Sequence, residues 1–361
     1  MTEPESRIRL VVLYGGQSAE HDVSRVSAAH VLRAVDQSRY EIDPIAISPE
    51  GEWRRSESTL AALAAGGGEA ISDPLDASGT GLVPQATLSP ARPGQQVVVL
   101  PILHGPRGED GAVQGLLELA GVAYVGSGVL GSAANMDKVM SKVVAGAAGL
   151  PIVRYLAVRD HDVDEDFVAR VEAELGWPVF VKPANMGSSV GVTRADDADG
   201  LRAALATATA FDEWAVVEEA VAAREIEVGV LGNHEPRASV PGEIVPTHDF
   251  YDYEDKYLDG AAQMVIPADL PAEVTDQART LAVEAYRVLR CDGLARVDFF
   301  YEADGRGLLF NEINTMPGFT PYSMYPSLWA ATGLPYPELI DELVRLALER
   351  HAHRTPHRRL R

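Results

Sequence analysis

Cysteine is nearly absent from these 361 residues: Cys291 is the only one, which rules out an intramolecular disulfide framework and a cysteine-built zinc site. It follows a helical pattern at a strand entrance, where a buried, inert thiol is expected rather than a nucleophile. Long apolar runs are missing as well. No stretch approaches the roughly 20 residues that cross a bilayer, and the opening MTEPESRIRL lacks the apolar core of a signal peptide. A cytoplasmic protein without membrane association is therefore expected. Positive charge is scarce: 31 Lys and Arg stand against 53 Asp and Glu, for a net charge of −22. Such a balance excludes nucleic acid as the main partner, because phosphate backbones need basic surface. Lysine is scarcest of all. Only Lys138, Lys142, Lys182 and Lys256 occur, leaving 27 arginines among the 31 basic residues. A chain that takes Arg almost everywhere keeps Lys where a compact ammonium serves as a point charge, for instance on phosphate.

What is present is an ordinary soluble composition, 46% hydrophobic and 23% charged, on a chain long enough for two or three domains. The first unit, 1–127, reads as α/β. Strands are expected at 8–14 (IRLVVLY) and 97–103 (VVVLPIL), with a Gly15-Gly16 turn, a helix from about Ser18, and a partly irregular excursion over 61–95. Such alternation predicts a parallel sheet with ligand groups at the strands' carboxyl ends. A second unit, 128–219, is expected to open with a helix over 132–148. Strands follow at 178–182, 190–193 and 215–218. The third, 220–361, carries a strand at 225–231, helices at 272–290 and 336–350, and a late hairpin. The pattern Gly126-Ser127-Gly128-Val129-Leu130-Gly131 matches GxGxxG but lacks the acid about 20 residues on that a dinucleotide site needs. Those glycines read better as a turn joining two units.

The hairpin carries the strongest chemistry. Segments 293–301 (GLARVDFFY) and 308–314 (LLFNEIN) flank ADGRG, a turn signal. With Gly305 at the centre, Asp298 faces Glu312 and Arg296 faces Asn314, all on one side. Acids within about 5 Å of each other repel unless a cation lies between them. Hard oxygen ligands suit Mg²⁺, which completes its shell with water and substrate phosphates; the alternative is a solvated polar strand face.

Other segments supply partners. The run Lys182-Pro183-Ala184-Asn185-Met186-Gly187-Ser188-Ser189-Val190-Gly191 resembles a phosphate lid with a lysine at its base, although it is no Walker A loop. Lys138 follows Asn135-Met136-Asp137 on a helix, and Glu218-Glu219-Ala220-Val221 ends a strand between two units, where a crevice suits a nucleotide base. Glu225 offers a carboxylate for ribose hydroxyls. Glu20, near a helix start, stays ionised and suits a substrate ammonium or simply caps the helix, while His104 ends a strand on the same edge. The loop Tyr251-Asp252-Tyr253-Glu254-Asp255-Lys256-Tyr257 has the makings of a closing cover. Gly318 permits close backbone approach, and Ser323 offers a hydroxyl for a carboxylate.

Taken in order, GGQSAEHDVS, LHGPRGEDG, NMDK, VKPANMGSSVG, YDYEDKY, RVDFF and NEINTMPG resemble the ATP-grasp superfamily and, within it, the D-alanine–D-alanine ligases. The resemblance spans nearly the whole chain. It implies three domains, an N-terminal Rossmann-like domain followed by two ATP-grasp subdomains, α/β overall and α+β in the C-terminal half. It implies that Lys138, Phe180, Lys182, Ser188, Ser189, Glu218, Glu219, Val221, Glu225, Lys256, Asn311 and Glu312 hold ATP. Two Mg²⁺ or Mn²⁺ ions would sit on Asp298, Glu312 and Asn314. Glu20, His104, Ser188, Lys256, Tyr257, Arg296, Gly318, Ser323 and Met324 would surround two D-alanines, with Glu20, Ser188, Tyr257, Arg296 and Ser323 acting in catalysis. A homodimer through the first domain is implied as well. Tyr257, where similar D-lactate ligases tend to carry Phe, favours an amine acceptor. Glu219 stands where the family often has Lys, so its backbone rather than its side chain is expected to serve.

Overall fold

The computed structural model describes residues 7–65, 71–90, 92, 94–245 and 263–358. Within them lie three sheets. The first contains β1 (Ile8–Gly15), β2 (Tyr40–Ile47), β3 (Trp53–Arg55), β4 (Thr80–Gly81), β5 (Val97–Ile102) and β6 (Ala123–Tyr124), in the order β4-β3-β2-β1-β5-β6. Its centre is parallel, as expected, with β1 between β2 and β5. The outer pairs β2–β3 and β3–β4 are antiparallel, an extension that the sequence pattern did not disclose. Alternation along β1 feeds two cores: Leu10, Val12 and Tyr14 face one layer, Val11 and Leu13 the other.

The second sheet, order β7-β10-β8-β9, is antiparallel and built from β7 (Tyr155–Arg159), β8 (Val179–Pro183), β9 (Thr193–Ala195) and β10 (Trp214–Glu219). The strand expected at 190–193 begins only at Thr193, because 184–192 is taken up by turns with Ser188, Ser189 and Gly191 at positive φ. The third sheet, order β13-β12-β11-β14-β15, contains β11 (Arg224–Gly232), β12 (Arg237–Val245), β13 (Gln263–Val265), β14 (Gly293–Glu302) and β15 (Gly307–Asn314). The helix Ala272–Val288 covers one of its faces through Ala278, Ala282, Ala285 and Tyr286.

Two local details differ from expectation. The single helix expected over 132–148 is two, Val129–Met136 and Lys138–Ala147. Asp137 breaks it by capping the second: its carboxylate accepts from the backbone N–H of Val139 and of Met140, both at 2.9 Å. The β14–β15 turn is Ala303-Asp304-Gly305-Arg306, one residue shorter than expected, with Glu302 opposite Gly307. A bulge at Asn311 then restores the register, so Asp298 faces Glu312 and Arg296 faces Asn314.

Gly126 and Gly128 lie between β6 and the helix Val129–Met136, and Gly131 lies within that helix. A Cβ at Gly131 would lie 2.5 Å from the carbonyl oxygen of Arg290, so only glycine allows this approach. The last helix, Tyr336–Arg358, returns to the first sheet: Leu339, Ile340, Leu343 and Val344 are buried in the same core as Leu10, Val98 and Leu100. Arg350 seals the joint by donating to the Gly126 carbonyl at 2.6 Å. No helix among the described residues is long and apolar enough to cross a membrane.

This shared core predicts that Leu343→Ala lowers the unfolding free energy by about 2–5 kcal/mol. Chemical denaturation checks the size. Amide hydrogen exchange checks the place, since protection should fall in β1 and β5; loss confined to the C-terminal helix would contradict a common core.

Candidate active site

Residues of all three sheets and of three helix starts make up the site. At the end of β1 the chain turns through Gly15, whose φ is 89° and whose Cβ would stand 2.4 Å from the Ile47 carbonyl oxygen. That turn aims the helix His21–Ala34 at the sheet's carboxyl edge, with Glu20 at its N-cap position. Glu20 makes no side-chain cap. It is buried, and it instead accepts a hydrogen bond from Ser188 Oγ of the 184–192 loop. Gly105 and Gly187 also approach it, each with a Cβ position 2.8 Å from Oε2. The capping alternative is thus replaced by a contact between the first sheet and the loop.

His104, at the end of β5, is buried and lies 3.1 Å from the Met316 carbonyl oxygen through Nδ1. A carbonyl only accepts, so Nδ1 carries the proton and Nε2 keeps its lone pair. Burial lowers the His104 pKa against the pull of Glu20, which keeps the ring neutral. Beside it, Glu109 accepts from the Gly105 N–H at 2.7 Å. Burial and then the Glu20 charge push its pKa up to about 8. Sequence reasoning passed over Glu109, although it stands only five residues after His104.

The third sheet presents the hairpin set. Arg296 reaches Asp298 with two parallel bonds, Nε to Oδ1 at 2.7 Å and Nη2 to Oδ2 at 2.6 Å. Asn314 Nδ2 donates to Asp298 Oδ2 at 3.0 Å. Glu227, directly opposite Asp298 on β11, lies 2.8 Å from Arg296 Nε. It was missed, and its signal was period two: Glu225 and Glu227 share a face of one strand. Burial opposes the Arg296 charge, but Asp298 and Glu227 outweigh it and raise the guanidinium's pKa well above its ordinary value.

Opposite lies a lysine cage. Lys182 Nζ donates to Glu218 Oε2 at 2.8 Å, and Lys142 Nζ sits 2.9 Å from Glu218 Oε1. Burial alone would raise the Glu218 pKa; the two ammonium groups reverse that and bring it down to about 2. Phe180 shares this face of β8 with Lys182 and is paired with Glu218 across the strands. Lys138 Nζ donates to the Met186 carbonyl at 2.6 Å and stands 3.6 Å from Glu312 Oε2, so it links the loop to the hairpin. Lys142 also went unassigned, although it sits one helical turn beyond Lys138. Its Nζ donates to the carbonyl of Asn311, the bulge residue, at 3.0 Å.

The remaining expected residues fall around these two clusters. Ser189 lies in the loop beside Ser188, and Val221 lies between β10 and β11. Glu225 shares the Asp298 face of the third sheet. Gly318 sits beneath Ser323, whose Oγ accepts from the Thr320 N–H at 3.1 Å, and buried Met324 opens the next helix. Glu219 points the other way. Its carboxylate accepts from Arg154 Nε at 2.7 Å and from Arg306 Nη1 at 2.5 Å, so the side chain is committed there. Lys256 and Tyr257 lie outside the described residues.

The donor set suits a hard divalent cation. Among the described residues no group of three or more His, Cys, Asp or Glu converges as a metal cage. An ion here would draw on the Asp298 and Glu312 carboxylates, the Asn314 amide oxygen and oxygens from outside the protein, the habit of Mg²⁺.

Comparison with known proteins identifies the family. Residues 9–127 match the family described as D-ala D-ala ligase N-terminus, and 144–345 match D-ala D-ala ligase C-terminus. The chain is 47% identical over 357 residues to a D-alanine–D-alanine ligase of Geobacillus kaustophilus, covering 96% of each chain. It is 48% identical over 358 residues to that of Bacillus cytotoxicus, covering 96% of this chain and 97% of the relative. Among solved structures, the D-alanine–D-alanine ligase of Coxiella burnetii superposes with a TM-score of 0.81 at 34% identity, covering 98% and 97% of the two chains. A D-Ala:D-Ser ligase of Enterococcus faecalis gives the same TM-score, 0.81, at 32% identity, covering 95% of this chain and 100% of its own. The fold is that of the ATP-grasp ligases, and the chain belongs to the D-alanine–D-alanine ligase family.

Proposed function

We propose that this chain joins two D-alanines into D-alanyl-D-alanine with conversion of ATP to ADP and phosphate, the step that supplies a dipeptide for peptidoglycan. The observation that carries the reading is the Arg296–Asp298–Glu312–Asn314 set facing the lysine cage of Lys138, Lys182 and Glu218. The first carboxylate takes the γ-phosphoryl group and becomes an acyl phosphate. The second D-alanine, as a free amine, then adds to that carbonyl, its nitrogen gives up one proton that leaves with the products, and phosphate departs with the C–O bonding pair. Every species on this path bears negative charge on oxygen, so stabilisation must come from fixed cations.

Residues divide that work. Lys138 and Lys182 lie on the phosphate side, while Glu218 and Val221, with the Glu219 backbone, face the adenine. Phe180 packs against the base, Glu225 takes the ribose hydroxyls, and Ser188 and Ser189 close over the phosphates together with Lys256. Glu20 receives the ammonium of the first D-alanine. His104, held neutral, lines that pocket, and Arg296 steadies the acyl phosphate and the tetrahedral oxyanion. The backbone of Gly318 and the hydroxyl of Ser323, next to Met324, hold the second carboxylate. Tyr257 and Ser188 orient the substrates for transfer. Asp298, Glu312 and Asn314 would hold two Mg²⁺ or Mn²⁺ ions, which when bound neutralise the phosphate oxygens, and Asn311 and Glu312 would also contact ATP. The buried setting also keeps water from the acyl phosphate. Three domains, 1–127, 128–219 and 220–361, a cytoplasmic location and a homodimer through the first domain belong to the same proposal.

Phosphate release in a coupled assay should require both D-alanine and Mg²⁺, and EDTA should abolish it; release with L-alanine alone would remove the ligase reading. Arg296→Ala should lower kcat by about 10²–10³-fold with a far smaller change in the KM for ATP, since its charge acts on the developing oxyanion. Rates with D-alanine, D-lactate and D-serine decide the acceptor, and their dependence between about pH 6 and 9 separates D-lactate from the two amines. An amine loses reactivity as it protonates toward the acid end, whereas a hydroxy acid does not.

A further inference from the structure

Lys142 has no place in the division of work above, yet it is among the largest side chains shut completely away from solvent, at 2% exposure. Its ammonium meets protein oxygens on two sides. Its ammonium sits 2.9 Å from one oxygen of Glu218, and Lys182 holds the other oxygen at 2.8 Å. The Asn311 carbonyl, 3.0 Å from Lys142 Nζ, fixes the direction of the ammonium. Burying a lysine is costly unless its charge is answered, and here Glu218 answers it.

With Lys142 absent, Glu218 and Lys182 would neutralise each other as a closed pair. With it present, Glu218 is answered from behind, and the ammonium of Lys182 stays available to an anion in the crevice. Two other carboxylates, Glu312 and Glu225, also act on the Lys182 charge. On the ligase reading they answer to divalent ions and ribose hydroxyls. Burial lowers the Lys142 pKa, and Glu218 opposes that loss of charge.

We propose that Lys142 is a positioning residue for the nucleotide: by taking up the Glu218 charge it leaves Lys182 to the phosphates of ATP. The inference rests on the reading that ATP is the co-substrate. The test is steady-state phosphate release by the full-length enzyme, with ADP-induced thermal shift as a second readout. Lys142→Met should raise the KM for ATP on the order of tenfold and shrink the ADP shift, leaving the KM for D-alanine nearly unchanged. Lys142→Gln, which keeps a donor for Asn311 without the charge, should behave like Lys142→Met. In a Glu218→Gln background the Lys142→Met change should cost little more, because the charge it answers is gone. Should Lys142→Met fail to fold, Lys142→Gln and the double variant decide the matter. An unchanged KM for ATP alongside a lower Tm would mark a structural residue only. A wild-type KM for Lys142→Gln, or additive losses in the double variant, would likewise overturn the inference. Wild-type enzyme lacking D-alanine-dependent phosphate release would instead defeat the ligase reading itself.

Discussion

Side chains alternate along a strand, so Asp298, Glu312 and Asn314 share a face only if the β14–β15 ribbon changes register once. Beyond the Glu302–Gly307 turn the pairing would set Asp298 against Asn311 and turn Glu312 to the opposite side. The single extra residue at Asn311 prevents this. That bulge is not left to itself, because its carbonyl is held by a fully buried ammonium from the helix Lys138–Ala147. The geometry of the hairpin and the electrostatics of the lysine cage are therefore one structure. Lys142 touches both.

A chain of net charge −22 repels anions at long range, so cations that are to meet an anionic ligand must be gathered in one place. It does so by pairing each of them. Arg296 is bound by Asp298 and Glu227, Lys182 and Lys142 by Glu218, and Lys138 stands near Glu312. The carboxylates keep the cations fixed and charged in a buried place, and the cations keep the carboxylates ionised. Preorganisation of this kind costs nothing further when the transition state forms.

Much of this was legible in the residues. The Asp298–Glu312 and Arg296–Asn314 facings followed from period-two alternation and a turn signal. They came out correctly although the turn is shorter than expected, because the bulge cancels the difference. No local pattern announces such a compensation. Lys142 was invisible for another reason: spacing from Lys138 gives the helix face, but not which side a third sheet covers. Glu227 needed β11 to be seen between β12 and β14, a long-range fact. The break at Asp137 was readable in principle, since aspartate is a strong N-cap, but it lies inside an apolar periodic run that favours one continuous helix. The return of the last helix to the first core leaves no trace in its own amphipathic pattern, which says only that one face is covered.

The loop 184–192 connects these fixed parts to the first sheet, and its backbone indicates how. Ser188 and Ser189 adopt φ values of 51° and 57°, a region that side-chain-bearing residues enter at a cost. Asp212 grips the loop's stem by accepting from the Asn185 N–H at 2.7 Å, while Ser188 reaches Glu20 at its far end. Serines at those positions give up local comfort for a hydroxyl that meets a carboxylate 168 residues away in sequence. Glycine there would relax the backbone and lose the contact. The strain is thus tied to the link between the N-terminal sheet and the loop, which Asp212 holds at Asn185, Lys138 at Met186 and Glu20 at Ser188.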